Sequence, residues 1–157
     1  SQGKIFPNCR VPEGMAEQVA QLRAANVAVI ASAGNDSNRS AMMSPACLPD
    51  VISVGETDNP HPGTQGIAYD SAAKPTIANY SNGNANTTVY INSRWYALNL
   101  AGQRKFSVGT SNGTAAFTGL WTLNRKASVA ETLDGLMAKA IPTSNKWLSG
   151  KYVDIPH

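Results

Sequence analysis

The chain has 157 residues, 42% of them hydrophobic and 15% charged, with a formal net charge of +3. That length and apolar content suit a single domain, residues 1–157, with a real core. The basic residues are scattered, which argues against a nucleic-acid or membrane-surface partner, and no apolar stretch is long enough to span a bilayer.

Residues 1–11 read as irregular, punctuated by Gly3, Pro7 and then Pro12. Pro12 suits a first helical position, Met15, Val19 and Leu22 then share a face, and the helix is predicted to end near Ala25-Asn26. Val27-Ala28-Val29-Ile30-Ala31 predicts a strand buried on both faces of a parallel sheet, and helix followed by buried strand is α/β grammar. Residues 36–50 read as a polar loop and Val51-Ile52-Ser53-Val54-Gly55 as a second buried strand. Residues 56–76 read as loop, and 77–82 as a short segment of no definite type. Thr87-Thr88-Val89-Tyr90-Ile91 is a β run, with another over 95–100. A long helix is predicted from Ser111, or just after it, to Asn124. Ser128-Val129-Ala130-Glu131 is a capping box that opens a second helix through Ala140, ended by Pro142. No charged start runs into an apolar segment, so a secretory leader is expected to have been removed or to lie outside these residues.

Two blocks carry chemistry. Gly109-Thr110-Ser111-Asn112-Gly113-Thr114-Ala115-Ala116-Phe117-Thr118-Gly119 places the Ser111 hydroxyl at a helix N-terminus, where N–H groups and the helix dipole favour developing negative charge. Serine is also an ordinary helix cap. Upstream, Ala31-Ser32-Ala33-Gly34-Asn35 runs from a buried strand into turn chemistry. In this order the two blocks resemble the nucleophile and oxyanion-hole segments of the subtilisin-like serine proteases, the subtilases. The resemblance implies a three-layer α/β fold, a mainly parallel sheet with flanking helices, and hydrolysis of peptide bonds by acyl transfer. It makes Ser111 the nucleophile and Asn35 an oxyanion donor beside the Ser111 N–H. It also makes Ala31, Ser32, Ala33 and Gly34 the border of the pocket for the substrate side chain next to the scissile bond.

The family's Asp and His precede the Asn segment in chain order, and residues 1–34 contain neither. The resemblance therefore covers the C-terminal portion of a catalytic domain, closing on a Gly-x-x-x-[Asn/Asp] turn at Gly150-Lys151-Tyr152-Val153-Asp154. The rest of the domain is expected as a second chain or a missing segment. Alone, this portion is expected to be inactive. His61, in a Pro-rich turn, matches no family motif, and His157 is terminal. Gly113 stands where the family usually has Ala, Ala115 where Pro is common and Asn112 where an apolar residue is usual. The family's Ala-Pro-Gly turn is replaced by Asn92-Ser93 or Ala101-Gly102. These departures keep open a second reading, a subtilase-like module that binds or assembles without catalysis.

Cys9 and Cys47 make an even count that fits either one disulfide or two buried thiols. Secreted subtilases often pair a Cys ahead of the helix with one in a Pro-Ala-Cys segment, as in Ser44-Pro45-Ala46-Cys47, which implies a Cys9–Cys47 bond and a secreted or periplasmic protein. The sequons at Asn35, Asn79, Asn86 and Asn112 are ascribed to Asn- and Thr-rich composition. No acidic cluster has the density of a calcium loop, so no metal or cofactor is expected, and the partner is a peptide or protein substrate. A nucleotide-binding reading fails on Gly102 to Gly109, which lacks phosphate-loop spacing.

Overall fold

The computed structural model describes residues 9–60 and 75–155. Its elements are helices α1 (Met15–Ala24), α2 (Thr110–Leu123) and α3 (Val129–Met137), with strands β1 (Val29–Ser32), β2 (Val51–Pro60), β3 (Val89–Leu98), β4 (Arg104–Ser107), β5 (Ile141–Ser144) and β6 (Ser149–Val153). Among the described residues one sheet has the order β1-β2-β3-β6-β5, with β4 paired onto β3. β1, β2, β3 and β6 run parallel; β4 and β5 are antiparallel to their neighbours. This is a mainly parallel α/β fold with helices on both faces.

Strand alternation builds the three layers. Ala28 and Ile30 pack into the cluster beneath α2 and α3, where Ile52, Val54, Val89, Ile91 and Val153 meet Phe117, Leu120, Trp121 and Leu136. Val29 and Ala31 point the other way, into the cluster that holds Met15 and Val19 of α1 with Leu48 and Val51. On that face farther along the sheet, the Tyr90 ring lies so close to Gly55 and Gly150 that a Cβ on either would collide with it. α3 opens on the predicted capping box, with Ser128 accepting from the Glu131 N–H and Glu131 accepting from that of Ser128.

Several boundaries differ from the sequence reading for identifiable reasons. β1 is half-buried along its length rather than buried on both faces, because it is the edge strand of the described sheet. β2 continues into the stretch read as loop, as far as Pro60, and residues 61–74, which include His61, lie outside the described residues, as does His157. Segment 76–82 runs beside β2 where β1 has ended, through an antiparallel Thr57–Ile77 bridge and the Ala78 N–H to Glu56 carbonyl bond. The two β runs near residues 87–100 are one strand, β3, so Asn92-Ser93 is mid-strand and only Ala101-Gly102 forms a turn, with Gly102 at φ 72°. α3 stops at Met137 rather than Ala140, and Pro142 lies in β5. Gly150 to Val153 is strand β6 rather than a turn.

Cys9 and Cys47 form a disulfide with Cα atoms 5.4 Å apart, tying the lead-in of α1 to the loop after β1. Closing a loop of 38 residues constrains the unfolded chain by roughly 2–4 kcal/mol. No helix among the described residues is long and apolar enough to cross a membrane.

Candidate active site

The site lies at the C-terminal end of β1, where the chain turns away from the sheet and α2 begins. In open parallel sheets this edge is where ligands bind. α2 buries Thr110, Gly113, Phe117, Leu120 and Trp121, a stripe at helical spacing. Ser111 sits one residue, about 100° of helix rotation, from the stripe, and is exposed. The packing that fixes the helix therefore presents the Ser111 hydroxyl outward.

Gly109 precedes the helix at φ 133°, ψ 150°, a conformation that favours glycine. The Asn35 amide lies in van der Waals contact with the space a Cβ at Gly109 would fill. Asn35 Oδ1 accepts two hydrogen bonds from Thr110, from its backbone N–H at 3.0 Å and its hydroxyl at 3.1 Å. The Thr110 hydroxyl in turn accepts the Gly34 N–H at 3.2 Å. With its oxygen held in this way, the Asn35 amide keeps Nδ2 as a donor that takes no partner among the described residues. The Asn112 and Gly113 N–H groups turn back to the Gly109 carbonyl, whereas the Ser111 N–H is one of the orphan donors of the first turn. No acidic residue in that turn offsets the positive end of the dipole, and Asn112 Nδ2 anchors the turn by donating to Ser107 Oγ of β4 at 2.6 Å.

Asn35 and Ser111, 76 positions apart, are thus brought together, and the link is the fully buried Thr110. Of the four residues expected to border a substrate pocket, Ala31 and Ser32 are half-buried on β1 and Gly34 is buried at the turn. Ala33 faces Met42, Ala46 and Cys47 instead. The groove of about 320 Å³ lined by Ile30, Thr118, Trp121 and Val129 is not at Ser111; it lies along β1, the later turns of α2 and the start of α3.

The sequence reading missed a group of polar residues at the ends of β2 and β3. Glu56 is fully buried, and Asp58 pairs with Arg94 at 2.6 Å. The Tyr80 hydroxyl lies beside Glu56. Burial, and then the Glu56 carboxylate, push its pKa well above the usual tyrosine range. A raised tyrosine pKa means that the folded state holds its proton where the unfolded chain, at about 10, has lost it. Its contribution to stability is therefore full below about pH 10 and is lost as pH rises above that value. Tyr80→Phe is expected to flatten the alkaline fall in stability, read as the denaturant midpoint at pH 9 against pH 11. Tyr90, raised chiefly by burial, adds to the slope in the same direction.

The subtilase family model matches residues 7–141. Among solved structures, the self-cleaved protease domain of PatA superposes with a TM-score of 0.66 at 19% identity, over 88% of this chain and 51% of that one. The prenylagaramide maturation protease PagA gives 0.66 at 19%, over 94% and 52%. A protease structure from Pseudoalteromonas arctica gives 0.69 at 19%, over 93% and 46%. At these identities the likeness is one of fold, and the chain spans about half the length of the solved structures it matches. No curated protein sequence matches it. With a family model covering most of its length and a parallel sheet, helix and turn arranged as in solved subtilisin-like proteases, the chain belongs to the subtilase family.

Proposed function

We propose that this chain is the C-terminal portion of a secreted subtilisin-like serine endopeptidase domain, carrying its nucleophile and oxyanion hole. Ser111 attacks the scissile carbonyl carbon, and its proton passes to a histidine oriented by an aspartate, both supplied by the N-terminal portion of the domain. The carbonyl oxygen, now negative, is held by Asn35 Nδ2 and the Ser111 N–H; collapse of the tetrahedral species releases the amine and leaves an acyl-serine that water hydrolyses. The observation that carries this reading is the Thr110 bridge. It occupies the Asn35 oxygen and leaves two donors that are unpartnered among the described residues, next to an exposed serine at a helix N-terminus.

The N-terminal portion, as a preceding segment or a second chain, would add to the β1 edge. Support comes from the half-buried β1, the exposed Val27 before it and the groove along its α2 side. Alone, this portion would lack the base and be inactive. The Cys9–Cys47 disulfide fits an oxidising, extracellular compartment.

The test is a fluorophosphonate probe on the complete mature protein, with the adduct mapped by mass spectrometry. Labelling at Ser111 that disappears in Ser111→Ala is the expected result. An intact, folded protein that takes no label would leave the non-catalytic binding module as the better reading.

A further inference from the structure

Asn35 is useful only if its backbone is held, and the loop that carries it is not intrinsically well behaved. Gly34 sits at φ 104° and Ser37 at φ 58°, the latter a left-handed conformation that a non-glycine residue adopts only when its surroundings impose it. Arg39, on the loop, donates to the Ser37 carbonyl, and the wider hold comes from outside the loop. Asn82 is 2% exposed and reaches the loop from segment 76–82 with four hydrogen bonds. Its backbone N–H donates to the Gly34 carbonyl at 2.8 Å. Its Oδ1 accepts the Asp36 N–H at 2.9 Å and the Asn38 N–H at 2.8 Å, filling both lone pairs. Its Nδ2 donates to Asp36 Oδ2 at 2.9 Å.

These contacts bracket Asn35: one fixes the residue before it and three fix the residues after it. Two neighbours complete the hold. The Ser37 N–H donates to the Tyr80 carbonyl at 2.9 Å, and a Cβ on Gly34 would lie 2.3 Å from Asn82 Nδ2, so the amide is packed against bare backbone. Thr110 orients the Asn35 side chain and takes the Gly34 N–H on its near side, but the backbone beyond Asn35, at Asp36 and Asn38, is held by Asn82 and not by that bridge.

We infer that Asn82 is a positioning residue for the oxyanion donor, clamping both sides of Asn35 so that Nδ2 meets the developing negative charge. The inference rests on the catalytic reading of Asn35 and Ser111. Its requirement is specific: position 82 must offer two acceptor lone pairs to backbone N–H groups, and positions 82 and 36 must form one donor–acceptor pair.

The experiment compares Asn82→Ala, Asn82→Asp, Asp36→Asn and the Asn82→Asp/Asp36→Asn exchange in the complete protein. It reads the rate of fluorophosphonate labelling at Ser111 and the hydrogen-exchange protection of the 36–38 amides. Asn82→Ala frees the loop, and Asn82→Asp sets two carboxylates against each other; each is expected to slow labelling about 10- to 100-fold, the scale of an ångström's misplacement, and to expose those amides. Asp36→Asn keeps the bond from Asn82 and is expected to stay within about threefold of the parent. The exchange variant reverses donor and acceptor, keeps the accepting Oδ1, and is expected to recover both readouts. Parental labelling in Asn82→Ala would overturn the proposal. So would exchange rising across the whole sheet with no recovery in the exchange variant, which would make Asn82 a folding residue only. A parent protein that takes no label rejects the catalytic reading itself and the positioning role with it.

Discussion

Ser111→Ala in the complete protein is expected to lower kcat by about 10⁶-fold, and Asn35→Ala by about 10²- to 10³-fold with KM little changed. The two numbers differ because the two groups act differently. In the proposed mechanism Ser111 forms the bond, and without it only water attack on a bound substrate remains. In the same proposal Asn35 donates to an oxygen that bears full negative charge only near the transition state, so its loss falls on kcat rather than on binding. The double variant is the sharper measurement. If Asn35 serves the attack by Ser111, the combined loss should be far smaller than the product of the single losses, because residues that act as a unit are not additive. Losses that multiply in full would mean that Asn35 works independently of the nucleophile, contrary to the bridge through Thr110. Asn35→Asp is a useful companion. It keeps an oxygen for the Thr110 N–H and hydroxyl but sets a carboxylate against the oxyanion, so a loss at least as large as that of Asn35→Ala is expected.

The parts of this arrangement that were legible in the sequence share one property: the signal is local. Helix α2 announces itself by the spacing of Gly113, Phe117, Leu120 and Trp121, and α3 by its capping box, because a helix makes its hydrogen bonds within a few residues. The Ser111 and Asn35 blocks were legible as a helix start and a strand end for the same reason, being short runs whose residue types fit those places. What the sequence concealed depends on partners far along the chain. Asn82 sits in Ser81-Asn82-Gly83-Asn84, which reads as turn composition, and its partners lie more than 40 positions upstream. Thr110 looked like a neutral neighbour of Ser111 until the fold brought Asn35 to its hydroxyl. Glu56-Thr57-Asp58 read as the start of a loop, and a carboxylate is rarely buried, yet the strand runs on with Glu56 fully enclosed. β5 exposes three of its four residues and contains Pro142, so neither alternation nor propensity marks it; pairing with β6, and a bridge from Ser144 to Thr76, make it a strand.

Phe117→Ala is expected to destabilise the complete protein by about 3–5 kcal/mol, read as a shift in the denaturant midpoint. Phe117 is fully buried at the centre of the α2 stripe, packed among Ile52, Val54, Val89 and Ile91 with the Trp121 ring 6.3 Å away. Removing its ring leaves a cavity walled by two strands and a helix fixed at its first turn, a site with little freedom to collapse. Phe117→Leu keeps most of the volume and should cost clearly less. The same packing links core to site. α2 carries Ser111 exposed at one end because its stripe is buried, and Ser107, Asn35 and Gly34 hold only its first turn. If that local hold suffices, Phe117→Ala will lower stability while fluorophosphonate labelling of the folded fraction proceeds at nearly the parental rate. If labelling slows along with stability, the first turn takes its position from the core, and the oxyanion geometry is set by the sheet as much as by the polar contacts around it.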